Sequence, residues 1–165
     1  MKRKVIMILA ILLAVGMTLT AVSAEDSWSF NFSSEENSDG GSINFENGKL
    51  TIQGIEFTIP DGYEMDESSK KVAEDAEDFD AKYSACKFTK GDDEIVVNVF
   101  FTDGDFENLS ANNADQVEKT LNDIKGLYEE NKYGDNTPTF TYIEDGKVVK
   151  INAPNDEIIE SVMGK

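Results

Sequence analysis

Residues 113–134, NADQVEKTLNDIKGLYEENKYG, carry the decision on which the fold turns. Val117, Leu121, Ile124 and Tyr128 recur at the spacing of an apolar stripe along an α-helix. Asn113 stands at a capping position with Gln116 three residues on, and Gly134 supplies a stop. The periodicity predicts an amphipathic helix across this stretch.

Toward the C-terminus, TFTYIEDGKVVKI (139–151) has the form of a hairpin. A two-residue turn at Asp145-Gly146 sets Glu144 opposite Lys147 and gathers Phe140, Tyr142, Val149 and Ile151 on one face. Beyond Pro154, the residues Ile158, Ile159, Val162 and Met163 predict a short closing helix. On the N-terminal side, EIVVNVFFT (94–102) places Ile95, Val97, Val99 and Phe101 on one face and Val96 and Phe100 on the other. A strand apolar on both faces is expected inside a sheet, and a partner strand over 83–89 precedes it across Lys90-Gly91-Asp92-Asp93.

Earlier still, INFENGKLTI (43–52) turns at Asn47-Gly48, which pairs Glu46 with Lys49, Phe45 with Leu50 and Ile43 with Ile52. Ile55, Phe57 and Ile59 continue the alternation to Pro60, and Asp61-Gly62-Tyr63 makes a turn. Residues 66–79 (DESSKKVAEDAEDF) carry Val72, Ala73, Ala76 and Phe79 at helical spacing and predict a further helix. Strand pairs alternating with helices, without βαβ repetition, imply an α+β fold: a mostly antiparallel sheet built from hairpins, with two or three helices packed on it. The expected organisation is a single α+β domain over 43–165, preceded by a polar lead-in or linker at 25–42 in which Trp28, Phe30 and Phe32 alternate.

The first 24 residues have a different chemistry. Lys2, Arg3 and Lys4 precede an uncharged apolar run, and Val22-Ser23-Ala24 forms a small-residue cleavage site before Glu25-Asp26. These are the parts of a secretory signal peptide. Left uncut, residues 5–24 would serve as a membrane anchor, because as a helix they span roughly 30 Å. In either case the domain is expected outside the cytoplasm. Once cleaved, the chain is expected to be secreted or extracytoplasmic, with no membrane contact.

Composition narrows the chemistry further. The chain has 33 acidic residues against 15 Lys and Arg, a formal charge of −18, and loss of Lys2, Arg3 and Lys4 with the signal makes it −21. Such a field repels nucleic acid phosphates, so no nucleic acid partner is expected. There is no His, and Arg3 is the sole Arg. That excludes imidazole acid/base chemistry, Ser-His and Cys-His pairs and His-ligated zinc, and leaves no guanidinium clamp in the mature domain. An A/T-rich genome would produce the same shortage. Cys86, the one cysteine, allows no intrachain disulfide; alternation sets it beside Ser84 and Phe88, either as a buried small hydrophobe or as the link in a disulfide dimer.

Taken together, GIEFTIPDGY (54–63), the EIVVNVFF strand, the predicted long helix and the unit FTYIEDGKVVKINAPNDEIIESV (140–162) resemble small acidic exported proteins of methanogenic archaea. The strand that ends in Ile59-Pro60 before Gly62-Tyr63 is also remotely similar to the PsbP-like α/β sandwich. The resemblance implies an archaeal protein of the cell envelope and a layered sheet-and-helix fold. It transfers no functional residues.

Few motifs carry chemistry of their own. Asp103, Asp105 and Glu107 alternate as the opening of a calcium loop would, but Asn108 occupies the glycine position and Ala114 the position of the bidentate Glu. They are weak metal candidates within what reads as a solvated acidic loop. Asp75, Glu77, Asp78 and Asp80, and again Asp92, Asp93 and Glu94, form acidic runs whose default reading is a solvated face. Ser68 and Lys71 make a Ser-x-x-Lys match without the partner motifs of the Ser-Lys hydrolases. Asn31 and Asn108 are N-glycosylation acceptors.

The sequence therefore predicts a monomeric, non-enzymatic binding or envelope accessory protein with no cofactor and no catalytic residues, whose partner is an envelope or extracellular ligand. The alternative is a carboxylate-dependent extracellular hydrolase, which would show two converging carboxyls in a cleft with raised pKa values.

Overall fold

The computed structural model describes residues 42–76, 80–111, 115–130 and 137–164. Within these lie the strands β1 (Ile43–Glu46), β2 (Lys49–Ile52), β3 (Ile55–Thr58), β4 (Glu64–Asp75), β5 (Lys82–Lys90), β6 (Asp93–Phe101), β7 (Gln116–Leu121), β8 (Ile124–Glu130), β9 (Pro138–Glu144) and β10 (Lys147–Asn152), and the helix α1 (Asp156–Met163). The strands form an antiparallel three-stranded sheet, β1-β2-β3, and a seven-stranded sheet in the order β4-β5-β6-β10-β9-β8-β7, also antiparallel throughout.

Turn chemistry accounts for much of this. Four of the hairpins close over two residues that both have positive φ, the geometry matched to strand twist: Asn47-Gly48, Gln53-Gly54, Asn122-Asp123 and Asp145-Gly146. The first and last have the expected registers, with Glu46 opposite Lys49 and Glu144 opposite Lys147. β6 lies inside the large sheet between β5 and β10, as its two-sided apolar pattern requires. α1 is capped by Asn155, whose side chain accepts from the Ile158 N–H at 3.0 Å, and is stopped by Gly164 in the left-handed region.

The expected α+β architecture with two or three helices is not what forms: the fold is β-rich, and α1 is the one helix among the described residues. Two predicted helices are strands. Residues 66–75 belong to β4, an edge strand paired with β5 through two register shifts; residues 77–79 lie outside the described region. Ala73, at φ 52, marks the second shift, a bulge. Val72 is 42 % exposed, so the supposed apolar stripe is not buried. Residues 116–130 are the β7–β8 hairpin, in which Leu121 faces Ile124 and Val117 faces Tyr128 across a turn at Asn122-Asp123. Pairings symmetric about a two-residue turn place apolar residues at the same spacings as successive helical turns, which is why the pattern misled. Asn113 and residues 131–134, the two ends of that predicted helix, lie outside the described region, as does everything before Ser42.

The core is a sandwich. The three-stranded sheet and α1 cover the inner face of the large sheet, bringing Leu50, Ile52 and Phe57 and Ile159 and Val162 of α1 together with Phe88, Val97, Phe140 and Ile151. Phe45 meets Phe88 edge-on, with ring centres 4.9 Å apart, and so joins the two sheets. A smaller cluster on the outer face seats Phe106 and Leu109, from the segment after β6, against Tyr83, Phe100 and Val148. No helix among the described residues is long and apolar enough to cross a membrane.

Candidate functional site

A polar constellation linking two strands and the helix lies where α1 begins. Tyr128 of β8 donates its hydroxyl to Asp156 Oδ1 at 2.8 Å. Lys119 of β7 forms an ion pair with Asp156 Oδ2, and its ammonium sits over the Tyr128 ring, 3.6 Å from the centroid. Three elements converge here because β7 and β8 are paired, which puts Lys119 two residues along from Val117, the residue facing Tyr128, and because α1 packs on the sheet through Ile159 and Val162.

A cleft of about 680 Å³ opens at this point, lined by Tyr128, Glu130 and Pro138 of the sheet and by Pro154, Asp156 and Glu157 at the start of the helix. Burial alone would raise the Asp156 carboxyl, but hydrogen bonds from Lys119 and Tyr128 and the Lys119 charge outweigh it and hold the group below the usual carboxylate range. Burial, and then the hydrogen bond to Asp156 and its charge, push the Tyr128 hydroxyl up to about 12. Asp156 is thus a persistent anion and Tyr128 a persistent hydrogen-bond donor. The Tyr128 hydroxyl proton and both Asp156 oxygens are engaged within the trio, and Asp156 does not serve as a proton donor.

The sequence marks Tyr128 only as part of an apolar stripe and marks none of the three as a functional residue. Lys119, Tyr128 and Asp156 come together through strand pairing and helix docking, and the only local signal was the Pro154-Asn155 helix start.

The residues that were singled out are dispersed. Asp103, Asp105 and Glu107 are exposed on the segment after β6, and no group of three or more Cys, Asp or Glu among the described residues converges as metal ligands would. Asp105 has a packing role instead: its carboxyl lies against Gly146, and the neighbouring Phe106 N–H donates to the Gly146 carbonyl at 2.8 Å. Asp75, Asp80, Asp92, Asp93 and Glu94 are exposed, whereas Glu77 and Asp78 lie outside the described residues. Ser68 is engaged with Asp66 at 2.6 Å and Lys71 with Glu74 at 3.3 Å, so the Ser-x-x-Lys residues do not meet. Asn108 is exposed, and Asn31 lies outside the described residues.

Cys86 is 1 % exposed on the inner face, and burial pushes its thiol up to about 12, so it packs as a hydrophobe and cannot reach a second chain. No protein-family model, no curated protein and no solved structure matches this chain.

Proposed function

We propose that this is an exported, non-enzymatic acidic domain of an archaeal cell envelope that binds a cationic, amine-bearing ligand in the cleft at the start of α1. The observation that carries the reading is the Lys119 ammonium on the Tyr128 ring and the Asp156 carboxylate. It is an internal example of the chemistry that the wall accepts, an aromatic face combined with a fixed anion. Glu130 and Glu157 add two more carboxylates to the lining of the cleft. The overall charge of −18 would draw cations toward it. Export rests on the basic, apolar and small-residue segments of residues 1–24. The hydrolase alternative calls for a carboxyl with a raised pKa, whereas Asp66 and Asp156, the described carboxyls with a resolved shift, are both lowered.

Titration with cadaverine at constant ionic strength, followed by NMR, tests the reading. Saturable shifts confined to Tyr128, Glu130 and Glu157, weakened severalfold by Glu130→Gln with Glu157→Gln, are expected. Shifts spread evenly over the acidic surface would refute it.

A further inference from the structure

The outer face of the seven-stranded sheet holds polar side chains that make no side-chain hydrogen bond among the described residues. Lys150 of β10 pairs with Asn98 of β6 on one side and with Thr141 of β9 on the other. Directly paired residues project from the same face with Cβ atoms roughly 5 Å apart, so Asn98, Lys150 and Thr141 form one row across three adjacent inner strands. Asn98 is 7 % exposed and Thr141 8 %. Neither side chain has a hydrogen-bond partner among the described residues, and Lys150 has neither a hydrogen bond nor an ion pair there. Besides burial, the charge of Glu129 acts on it through space.

The rows on either side are complete. One is apolar, with Tyr83, Phe100 and Val148 under Phe106. The other is satisfied internally: Asn152 bonds Thr139 Oγ1 at 3.0 Å, and Gln116 bonds Glu129 at 3.2 Å. Buried polar groups are normally paired, and an amide or hydroxyl left unpaired costs about 1–3 kcal/mol. An unpaired ammonium in the middle of a sheet is more unusual still, in a chain with 33 carboxylates available to pair it.

We propose that Asn98, Lys150 and Thr141 form a second ligand site, a cradle for the carboxylate of a small organic acid. The donors fit that group. The ammonium, the amide and the hydroxyl stand in one row on one face and carry one positive charge, which matches a monoanion. Phosphate or sulfate would bring a second charge that Glu129 and the net −18 oppose. Lys150 is only partly buried and provides the way in from solvent. Burial holds the Lys150 amine below its usual range, and a bound carboxylate would raise it again, so binding takes up a proton. This site lies on the opposite face of the sheet from the cleft at α1 and is independent of it.

The test is titration of the full chain, carrying ¹³C-labelled lysine, with hexanoate against chloride at equal ionic strength. Expected are a saturable shift of the Lys150 ε-carbon with hexanoate alone, a higher Lys150 pKa at saturation, and an affinity that falls as pH rises through that pKa. Lys150→Met should abolish saturable binding, and Asn98→Leu with Thr141→Val should weaken it at least tenfold, with thermal unfolding of each variant confirming that it folds. Equal shifts with chloride, or hexanoate binding that survives Lys150→Met, would overturn the proposal. So would a Lys150 shift that follows protein concentration in sedimentation without hexanoate, because the occupant would then be an acidic side chain of a second copy.

Discussion

The side-chain amide of Gln53 donates to the Ser84 hydroxyl at 2.8 Å and joins the β2–β3 turn of the small sheet to the middle of β5 in the large one. The Ala73 N–H donates to the same oxygen at 3.0 Å, from the bulge of β4. One fully buried hydroxyl therefore links three elements and fixes where the edge strand bends. Replacing Ser84 by Ala leaves two donors without their acceptor, and a loss of about 1–3 kcal/mol is expected. Urea denaturation gives the magnitude, and faster hydrogen exchange at Ala73 would locate it.

Gly146 is held at φ 69, and a Cβ there would press on Asp105, with Asp105 Cγ only 2.7 Å away. Gly54 has a similar φ of 82 but open space around it. Val at either position strains the backbone by about 1–3 kcal/mol. Gly146→Val should lose more than Gly54→Val, because it also lifts the segment carrying Phe106 off the outer face. Equal losses in denaturation midpoint would show that this segment adds nothing to stability.

Gly126 has a different reason for being glycine. The Phe140 ring lies over it, and a Cβ would come to 2.7 Å from Phe140 Cζ and collide with the Thr141 carbonyl. Gly126→Ala should cost about 1–3 kcal/mol through overpacking alone. The added variant Phe140→Leu should recover part of that loss, a coupling readable from a double-mutant cycle.

Stability at the two ends of the pH scale follows from Tyr128 and Asp156. The folded Tyr128 value, about 12, lies above the unfolded one, so its contribution is intact below about pH 10 and disappears as pH rises toward the folded value. Asp156 and Asp66 are shifted down, so theirs is present above about pH 4 and is lost as pH falls through the lowered values. Tyrosinate absorbance should show a late-ionising group that Tyr128→Phe removes. Lys119→Met should raise the Asp156 titration seen by ¹³C NMR and bring acid unfolding to a higher pH.

The acidic surface should respond to salt without preferring a cation. Self-repulsion at −18 is screened by any electrolyte, so the unfolding temperature should rise smoothly with ionic strength. Calcium and sodium at equal ionic strength should give the same curve, unchanged in a variant carrying Asp103→Asn, Asp105→Asn and Glu107→Gln beyond a uniform offset. A calcium-specific gain lost in that variant would establish a metal site there.

The proposed export makes a separate prediction at the N-terminus. Mass spectrometry of the native protein should find a chain beginning at Glu25, after the Val22-Ser23-Ala24 site. A chain that keeps residues 5–24 and stays in the membrane fraction would make them an anchor.

Local chemistry by itself determined the hairpins whose turn residues and flanking pattern agree. Asn47-Gly48 and Asp145-Gly146 set their registers, because a two-residue turn with positive φ admits one pairing and alternation then assigns each face. The same holds for β6 as an inner strand and for the closing helix, whose apolar residues share one side over barely two turns. Only the tertiary structure decided residues 116–130. Val117, Leu121, Ile124 and Tyr128 satisfy a helical stripe and a pairing about Asn122-Asp123 equally well. The open edge of β9 favours the strand by offering β8 backbone partners from Leu127 to Glu130, and Phe140 needs the space that Gly126 leaves. The cleft at α1 and the row through Lys150 follow from that choice, since long-range pairing with β9 sets Tyr128 on one face and Leu127 and Glu129 on the other, contacts that no local spacing encodes.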